Sequence, residues 1–291
     1  MRGILLAGGR GTRLYPATKV LSKQVLPVYD KPMIYYPLTT LMLAGIQEIL
    51  VISTPQDLPV IRSLLGDGNH LGLKLSYEVQ SMPNGIAEAL VIGEQFLQRE
   101  PSALVLGDNL HFMDRAREIL GKAAKLQQGA LLFAHQVPNP SRFGVVTFNQ
   151  DEQVIDITEK PQQPLSDWAV TGLYFYDGSA SERAKALSPS KRGELEITDL
   201  NRSYLSESNG LLSVKKMSRS SVWMDLGTPD ALHDAASHIA RVQRLTGTKI
   251  GCIEEVALRQ GFISAEQLRS HAADLGGGEY SEYLRRLSAD V

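Results

Sequence analysis

The residues best placed to do chemistry lie in the first two dozen positions, where Leu5-Leu6-Ala7 runs into Gly8-Gly9-Arg10-Gly11-Thr12-Arg13-Leu14 and is answered by Ser22-Lys23-Gln24. The apolar run 3–7 reads as a strand, and the glycines break it into a loop whose peptide N–H groups can turn towards a ligand. Such a loop suits a polyphosphate. Arg13 and Lys23 add two cations to surround negative charge, and Pro16 and Pro27 stiffen the link to the next element. Two familiar phosphate loops are excluded: counting from Gly9, Leu14 stands where G-x-G-x-x-G needs its last glycine, and no Gly-Lys-Ser/Thr follows as in a Walker loop. Taken alone, the glycines equally suit a tight βα turn with Arg13 and Lys23 on a solvated surface.

Bulk properties narrow the ligand. With 30 Lys and Arg against 32 Asp and Glu the formal net charge is −2, and there is no long basic run to neutralise a nucleic-acid backbone. Any bound phosphate is expected on a small molecule. The 291 residues allow one large α/β domain or two smaller ones with an ample core. The single Cys252 cannot form an internal disulfide; it fits a reducing compartment and reads as a small semi-buried hydrophobe, not a nucleophile. Gly8 and Gly9 stop the apolar N-terminus short of a signal-peptide core, and no later segment approaches the roughly 18 apolar residues of a membrane span. A soluble, cytoplasmic protein with neither nucleic-acid nor membrane partner is expected.

The elements that must position these residues alternate. Residues 33–44 have helical spacing ending at Gly45, 48–53 form an apolar strand, 58–65 a helix, 73–80 a strand, 86–97 a helix and 103–106 a buried strand closing on Gly107-Asp108-Asn109. This predicts an α/β fold with a mostly parallel sheet and helices on both faces, with ligands beyond the carboxyl ends of the strands. The glycine loop, Gln80 and Asp108 all fall at such ends. From Phe143 the pattern changes: 143–148 and 154–157 read as a hairpin that delivers Glu159-Lys160-Pro161. A strand at 168–176, a helix near 181–187, a further helix after 190–199, and strands at 214–217 and 223–225 follow. Beyond Gly227 the chain turns helical, at 229–245, 254–260, 265–273 and 280–287, and this tail holds no convincing catalytic constellation.

The combination Gly8-Gly9-x-Gly11-Thr12-Arg13-Leu14, Pro16, Ser22-Lys23-Gln24 and Leu26-Pro27 resembles the sugar-1-phosphate nucleotidyltransferases, or nucleotide-sugar pyrophosphorylases. The uninterrupted Tyr29-Asp30-Lys31-Pro32-Met33-Ile34-Tyr35-Tyr36-Pro37 is similar to their glucose-1-phosphate-specific thymidylyltransferase subgroup, and the resemblance continues through Gly193-Glu194-Leu195-Glu196-Ile197-Thr198-Asp199 to 254–263. It implies a Rossmann-like, mostly parallel mixed sheet flanked by helices: an α/β domain over 1–227, with a nucleotide part at about 1–135 and a sugar part built on the β-hairpin at about 136–227. A helical extension, 228–291, would serve packing and subunit contacts. The implied reaction makes dTDP-glucose and pyrophosphate from dTTP and glucose 1-phosphate with Mg²⁺, as the first step towards dTDP-rhamnose and related deoxysugars. A homotetramer with feedback inhibition is implied as well.

In such a transfer a sugar-phosphate oxygen, already anionic at neutral pH, attacks the α-phosphorus in line, so the site needs cations and a metal rather than a general base. The resemblance assigns the catalytic cations to Arg13 and Lys23, and the nucleotide to Gly8, Gly9, Gly11, Thr12, Arg13, Gln24, Gln80, Gly85 and Asp108. It assigns Mg²⁺ to Asp108 and Asp225, and the sugar phosphate to Asn109, Gly144, Glu159, Lys160, Val170 and Arg192. On the residues alone an Asx turn or a helix cap is the commoner explanation of Asp108, a cap for the helix from Thr228 or Pro229 serves as well for Asp225, and a solvated pair is the usual reading of Glu159-Lys160. Gln80 with the 83–87 backbone matches the pyrimidine-reading segment, whereas telling thymine from uracil rests on one methyl, worth about 1–3 kcal/mol. The same reaction with UTP or another hexose 1-phosphate, or a non-catalytic nucleotide-sugar sensor, are the rival readings. Two residues depart from the pattern: Leu226 replaces the more usual Thr after Asp225, and His111, where an aromatic or aliphatic residue is usual, is expected to be a solvated or core histidine.

Overall fold

Apolar hexamers separated by helices fill the first hundred residues, and they pair as parallel strands. The computed structural model describes residues 1–9, 11–207 and 210–289, so Arg10 of the glycine loop lies outside the described residues. β1 (Arg2–Ala7), β2 (Glu48–Ser53), β3 (Lys74–Val79) and β4 (Ser102–Leu106) lie side by side in the order β4-β1-β2-β3. β1, β2 and β4 are apolar on both faces because both faces are covered. Leu5, Ala7, Ile49, Val51, Ala103 and Val105 meet the helix Tyr35–Leu43, while Ile4, Leu6, Leu50, Ile52 and Leu104 share the opposite core with Ala89, Leu90 and Leu97. The helix predicted over 86–97 is two short ones, Glu88–Ile92 and Glu94–Leu97, broken at Gly93. A Cβ on Gly93 would stand 2.9 Å from Ile4 Cδ1, so the glycine lets the helix lie directly on β1.

The second half of the sheet is built on one long strand. After β5 (Ala130–Gln136), β6 (Gly144–Phe148) and β7 (Val154–Glu159) comes β8 (Trp168–Tyr176), and β9 (Leu212–Lys216) completes nine strands. β6 and β7 form the expected hairpin. β8 runs antiparallel to β5 and is flanked in turn by β6, at Trp168 and Ala169, and by β4, from Leu173 to Tyr176. Between these two partners its register slips, and Gly172 there takes φ 69°, as a glycine inside an apolar strand suggests. Neither β5 nor the helix Ala116–Ala123 before it was read from the sequence. A two-stranded ribbon, Asn109–Phe112 against Val222–Asp225, leaves the end of β4.

The tail forms helices Pro229–Thr246, Ile253–Gln260, Ala265–Asp274 and Glu279–Ala289, close to the predicted spans. Thr228 caps the first, and Ser264 with Gln267 forms a capping box at the third. Ile253, Ala257, Leu268 and Leu284 enter the same buried cluster as Leu38, Leu41 and Met42. Gln260 Nε2 donates to the carbonyls of Met42 and Leu43 at 2.7 and 2.9 Å, adding to the Gly45 N–H on Met42 and supplying a donor to Leu43 at that helix's C-terminus. Among the described residues no helix is long and apolar enough to cross a membrane.

His111, on the ribbon, is a core residue with Nε2 2.9 Å from the Thr171 carbonyl. Burial, with His135 nearby, pushes its pKa down to about 4 against the pull of that carbonyl, so the ring is neutral at physiological pH. In the unfolded chain the ring protonates near 6.5, so between these values the unfolded state binds more protons and stability is lost as pH falls. From pH 7 to pH 5 this amounts to about 2 kcal/mol for the one group. His111→Phe is expected to remove that part of the acid sensitivity. Urea unfolding of both proteins at the two pH values measures it, and an equally steep loss in the variant would assign the effect to other groups.

Candidate active site

β1 ends at Ala7 and the chain turns back over the strand ends. Gly8 leaves room for a neighbour: a Cβ there would lie 2.9 Å from Gln80 Oε1. Gly9 and Gly11 take φ of 101° and 58°, the left-handed region that glycine enters freely. Thr18 Oγ1 donates to the Gly11 carbonyl at 2.6 Å, and Gln24 Nε2 donates to the Gly8 carbonyl at 3.1 Å. Gln24 is 1 % exposed and also accepts from Ser22 Oγ, so it braces the loop from beneath instead of facing the cleft. Thr12 is exposed in the helical turn Thr12–Leu14.

Lys23 Nζ donates to Asp108 Oδ2 in an ion pair that is nearly buried on both sides. The ribbon sets Asp225 opposite Asn109, one residue from Asp108, and the Leu226 N–H donates to the Asp108 carbonyl at 2.9 Å. Leu226 itself is fully buried with Val28, Met33 and Ile239, so the departure at this position fills core space and leaves the carboxylates untouched. Arg13 Nη2 stands 3.9 Å from Asp225 Oδ2. A side chain on Gly227 would collide with the Arg13 guanidinium, so this glycine clears the approach.

The two carboxylates are driven apart electrostatically. Burial pushes the Asp225 pKa up and the charge of Asp108 pushes it further, while Arg13, Lys23 and Arg142 only partly compensate. Burial acts on Asp108 in the same direction, but the charge and hydrogen bond of Lys23, with Asn109 Nδ2 donating at 3.0 Å, hold it below the ordinary carboxylate range. Among the described residues no third His, Cys, Asp or Glu joins them as a metal-binding group. Two adjacent oxygen donors with the remaining positions open suit a hard cation that also takes phosphate oxygens.

A cavity of about 450 Å³ opens where β8 changes partners, lined among others by Arg13, Asp108, Asn109, Gly144, Glu159, Lys160, Val170 and Asp225. Trp223 Nε1 donates to Asn109 Oδ1 at 2.7 Å, and Thr198 Oγ1 donates to Glu159 Oε2 at 2.6 Å. A Cβ on Gly144 would come within 3.2 Å of Thr198 Oγ1, so a larger residue there would crowd this hydroxyl. Lys160 Nζ lies 3.4 Å from Glu159 Oε1. Arg192 is not on the cavity lining; it is bonded to Glu196 at 2.8 Å and lies 3.4 Å from Glu159 Oε1. Sequence reasoning missed Arg142, Thr198, Trp223 and Gly172 as lining residues. Gly172 carried a signal, as a glycine inside a strongly apolar strand.

A smaller cleft of about 230 Å³ lies beside the glycine loop, lined by Gly8, Gly9, Lys23, Gln80, Gly85 and Asp108 among others, and it shares Ile86, Leu106 and Asp108 with the larger cavity. Gly85 takes φ 107°, and a side chain on it would strike the Leu195 backbone. The Leu195 N–H donates to the Asn84 carbonyl at 2.6 Å and the Ala87 N–H to the Leu195 carbonyl at 3.2 Å. The loop beneath Gln80 is thereby laced to the 194–196 segment.

The chain as a whole has relatives in sequence and in structure. The Nucleotidyl transferase family profile matches residues 2–242. Over 287 residues and 99% of both chains, the sequence is 53% identical to the glucose-1-phosphate thymidylyltransferase of Neisseria meningitidis and 49% identical to that of Mycobacterium tuberculosis. A crystal structure described as a glucose-1-phosphate thymidylyltransferase from Bacillus anthracis, in complex with sucrose, superimposes with a TM-score of 0.75 at 40% identity. It covers 82% of this chain and 94% of its own. A UDP-glucose pyrophosphorylase complexed with UDP-glucose shares the fold, with a TM-score of 0.71 at 24% identity over 83% of this chain and 98% of that one. The chain belongs to the nucleotidyl transferase family, among relatives named glucose-1-phosphate thymidylyltransferase.

Proposed function

We propose that the protein transfers the thymidylyl group of dTTP to glucose 1-phosphate, giving dTDP-glucose and pyrophosphate. The observation that carries this reading is the meeting of the glycine-loop cleft and the larger cavity at Asp108, with Lys23, Arg13 and Asp225 around the junction. A triphosphate in the cleft and a sugar phosphate in the cavity would approach one another there. A phosphate oxygen of the sugar forms the new bond to the α-phosphorus, the bond to the β-phosphate oxygen breaks, and pyrophosphate carries away the charge; no proton changes hands.

Each wall has a part in this. Gly8, Gly9 and Gly11 present peptide N–H groups to the phosphates, with Thr12 beside them and Gln24 holding the loop's shape. Arg13 and Lys23 stabilise charge that builds on the α-phosphate oxygens, Lys23 being held in place by Asp108. Asp108 and Asp225 would hold Mg²⁺, which when bound neutralises phosphate charge and aligns the reacting oxygens; the family is generally dependent on a divalent metal. Glu159 accepts from sugar hydroxyls, with Asn109, Gly144 and Val170 shaping the pocket. Lys160 pairs with the sugar's phosphate, and Arg192 supports it from behind Glu159. Gln80 and Gly85 take the base: the Gln80 Oε1 is free to accept the N3–H of thymine. The tail packs against the α/β part and serves subunit contacts in a homotetramer under feedback control. The protein acts in the cytoplasm, at the entry to dTDP-deoxysugar synthesis.

Pyrophosphate release from a panel of nucleoside triphosphates with glucose 1-phosphate is the direct test. Metal-dependent turnover led by dTTP is expected, with measurable use of dUTP or UTP and rates at least 100-fold lower for dCTP, ATP and GTP. Turnover that survives a chelator, or dCTP used as readily as dTTP, contradicts the assignment. Asp225→Asn separates function from stability. Removing the charge that Asp108 repels is expected to raise the thermal midpoint while lowering kcat at least 100-fold, as for loss of a principal electrostatic group. A variant destabilised and still active would show that Asp225 is only a structural cap.

A further inference from the structure

The amide of Gln80 has a fixed orientation, and the residue that fixes it is Glu88. Gln80 is 7 % exposed. Its Nε2 donates to Glu88 Oε2 at 2.7 Å and to the Gly85 carbonyl at 3.2 Å, both of which can only accept. Its Oε1 sits over Gly8, on the cleft side, and accepts no hydrogen bond from the described residues. The other oxygen of the same carboxylate, Glu88 Oε1, accepts from Asn84 Nδ2 at 2.8 Å. One side chain therefore holds both the base-facing amide and the loop that carries Gly85. Rotating the amide would turn Oε1 against two acceptors and leave both without a donor, a costly exchange for groups this buried.

We infer that Glu88 is a specificity-determining positioning residue, which keeps the Gln80 Oε1 turned to the base and so selects thymine and uracil over cytosine. The inference rests on the base-reading role proposed for Gln80 above. At the corresponding edge thymine and uracil offer the N3–H donor, whereas cytosine offers a bare N3 acceptor. Only the unrotated amide complements the first, and only the rotated one the second. Glu88 itself lies behind Gln80 and lines neither the cleft nor the cavity.

The test uses the full-length enzyme and compares kcat/KM for dTTP and dCTP, each with glucose 1-phosphate, in wild type, Glu88→Gln and Glu88→Ala. A glutamine can keep the contact to Gln80 while donating or accepting, and an alanine removes the contact. The dTTP-to-dCTP ratio is expected to fall at least tenfold in both variants, through a higher KM for dTTP and a lower KM for dCTP, with kcat at saturating dTTP within about threefold. A merely structural role lowers both nucleotides together and leaves the ratio in place, and that result in either folded variant overturns the inference. A wild type that uses dCTP as readily as dTTP would overturn the base-reading role and this inference with it.

Discussion

Asp108 and Asp225 repel one another, and the backbone holds them together regardless. Their proximity does not come from side-chain attraction; it is imposed by the ladder between Asn109–Phe112 and Val222–Asp225 and by the Leu226 N–H on the Asp108 carbonyl. Every charged neighbour is arranged around that constraint. Lys23 takes one carboxylate in a close ion pair, while Arg13 stays 3.9 Å from the other and remains largely exposed. Asp108 is therefore compensated and Asp225 is not. Imperfect compensation of this kind weakens the fold and prepares the site, because a cation or a substrate-bound metal gains most where the protein's own charges are least satisfied.

The walls of the cleft and of the larger cavity are joined just as directly. The loop below Gln80 and the segment preceding the helix Ile197–Leu205 exchange backbone hydrogen bonds through Asn84, Ala87 and Leu195, and only a glycine at position 85 fits that approach. Glu196 at the start of that helix grips Arg192, and Thr198 grips Glu159. A short chain of direct contacts thus connects the loop below Gln80 to the Glu159 carboxylate on the larger cavity. The larger cavity exists because β8 leaves β6 for β4, and the register slip at Gly172 opens the sheet where Asn109 and Val170 line it.

How much of this was legible follows from which contacts are local. Three strands of the parallel half, β1, β2 and β4, announced themselves as apolar runs, since burial on both faces removes alternation, and the strand ends located the glycine loop, Gln80 and Asp108 together. The hairpin and the four tail helices were legible from turn residues and caps. The pairing of Asp225 with Asn109 was not, because the ribbon strand Asn109–Phe112 is four residues long and its partner lies far along the chain. Gln24 and Arg192 show the complementary difficulty: their types suit phosphate binding, yet one is buried beneath its loop and the other is held by Glu196. Motif spacing carries no information about which way an amide or guanidinium turns.

The Tyr-Asp-Lys-Pro stretch lines neither the cleft nor the larger cavity. Lys31 is 3 % exposed, paired with Asp30 and close to the rings of Tyr36 and Tyr280, and Asp30 also accepts from Lys249 Nζ at 2.7 Å. A buried ammonium is tolerable only with such partners, and Lys249 and Tyr280 both belong to the tail. The ion cluster therefore pins the segment just after Lys23 from behind, as Gln260 pins the end of the next helix. Burial pushes the Asp30 carboxyl up, yet the hydrogen bonds and charges of Lys249 and Lys31 hold it below its ordinary value, so this carboxylate stays charged, while burial lowers the Lys31 ammonium against the pull of Asp30. The tail completes the core beneath the loop whose Lys23 stands where the cleft and the larger cavity meet, and the Tyr-Asp-Lys-Pro stretch marks where that support is attached.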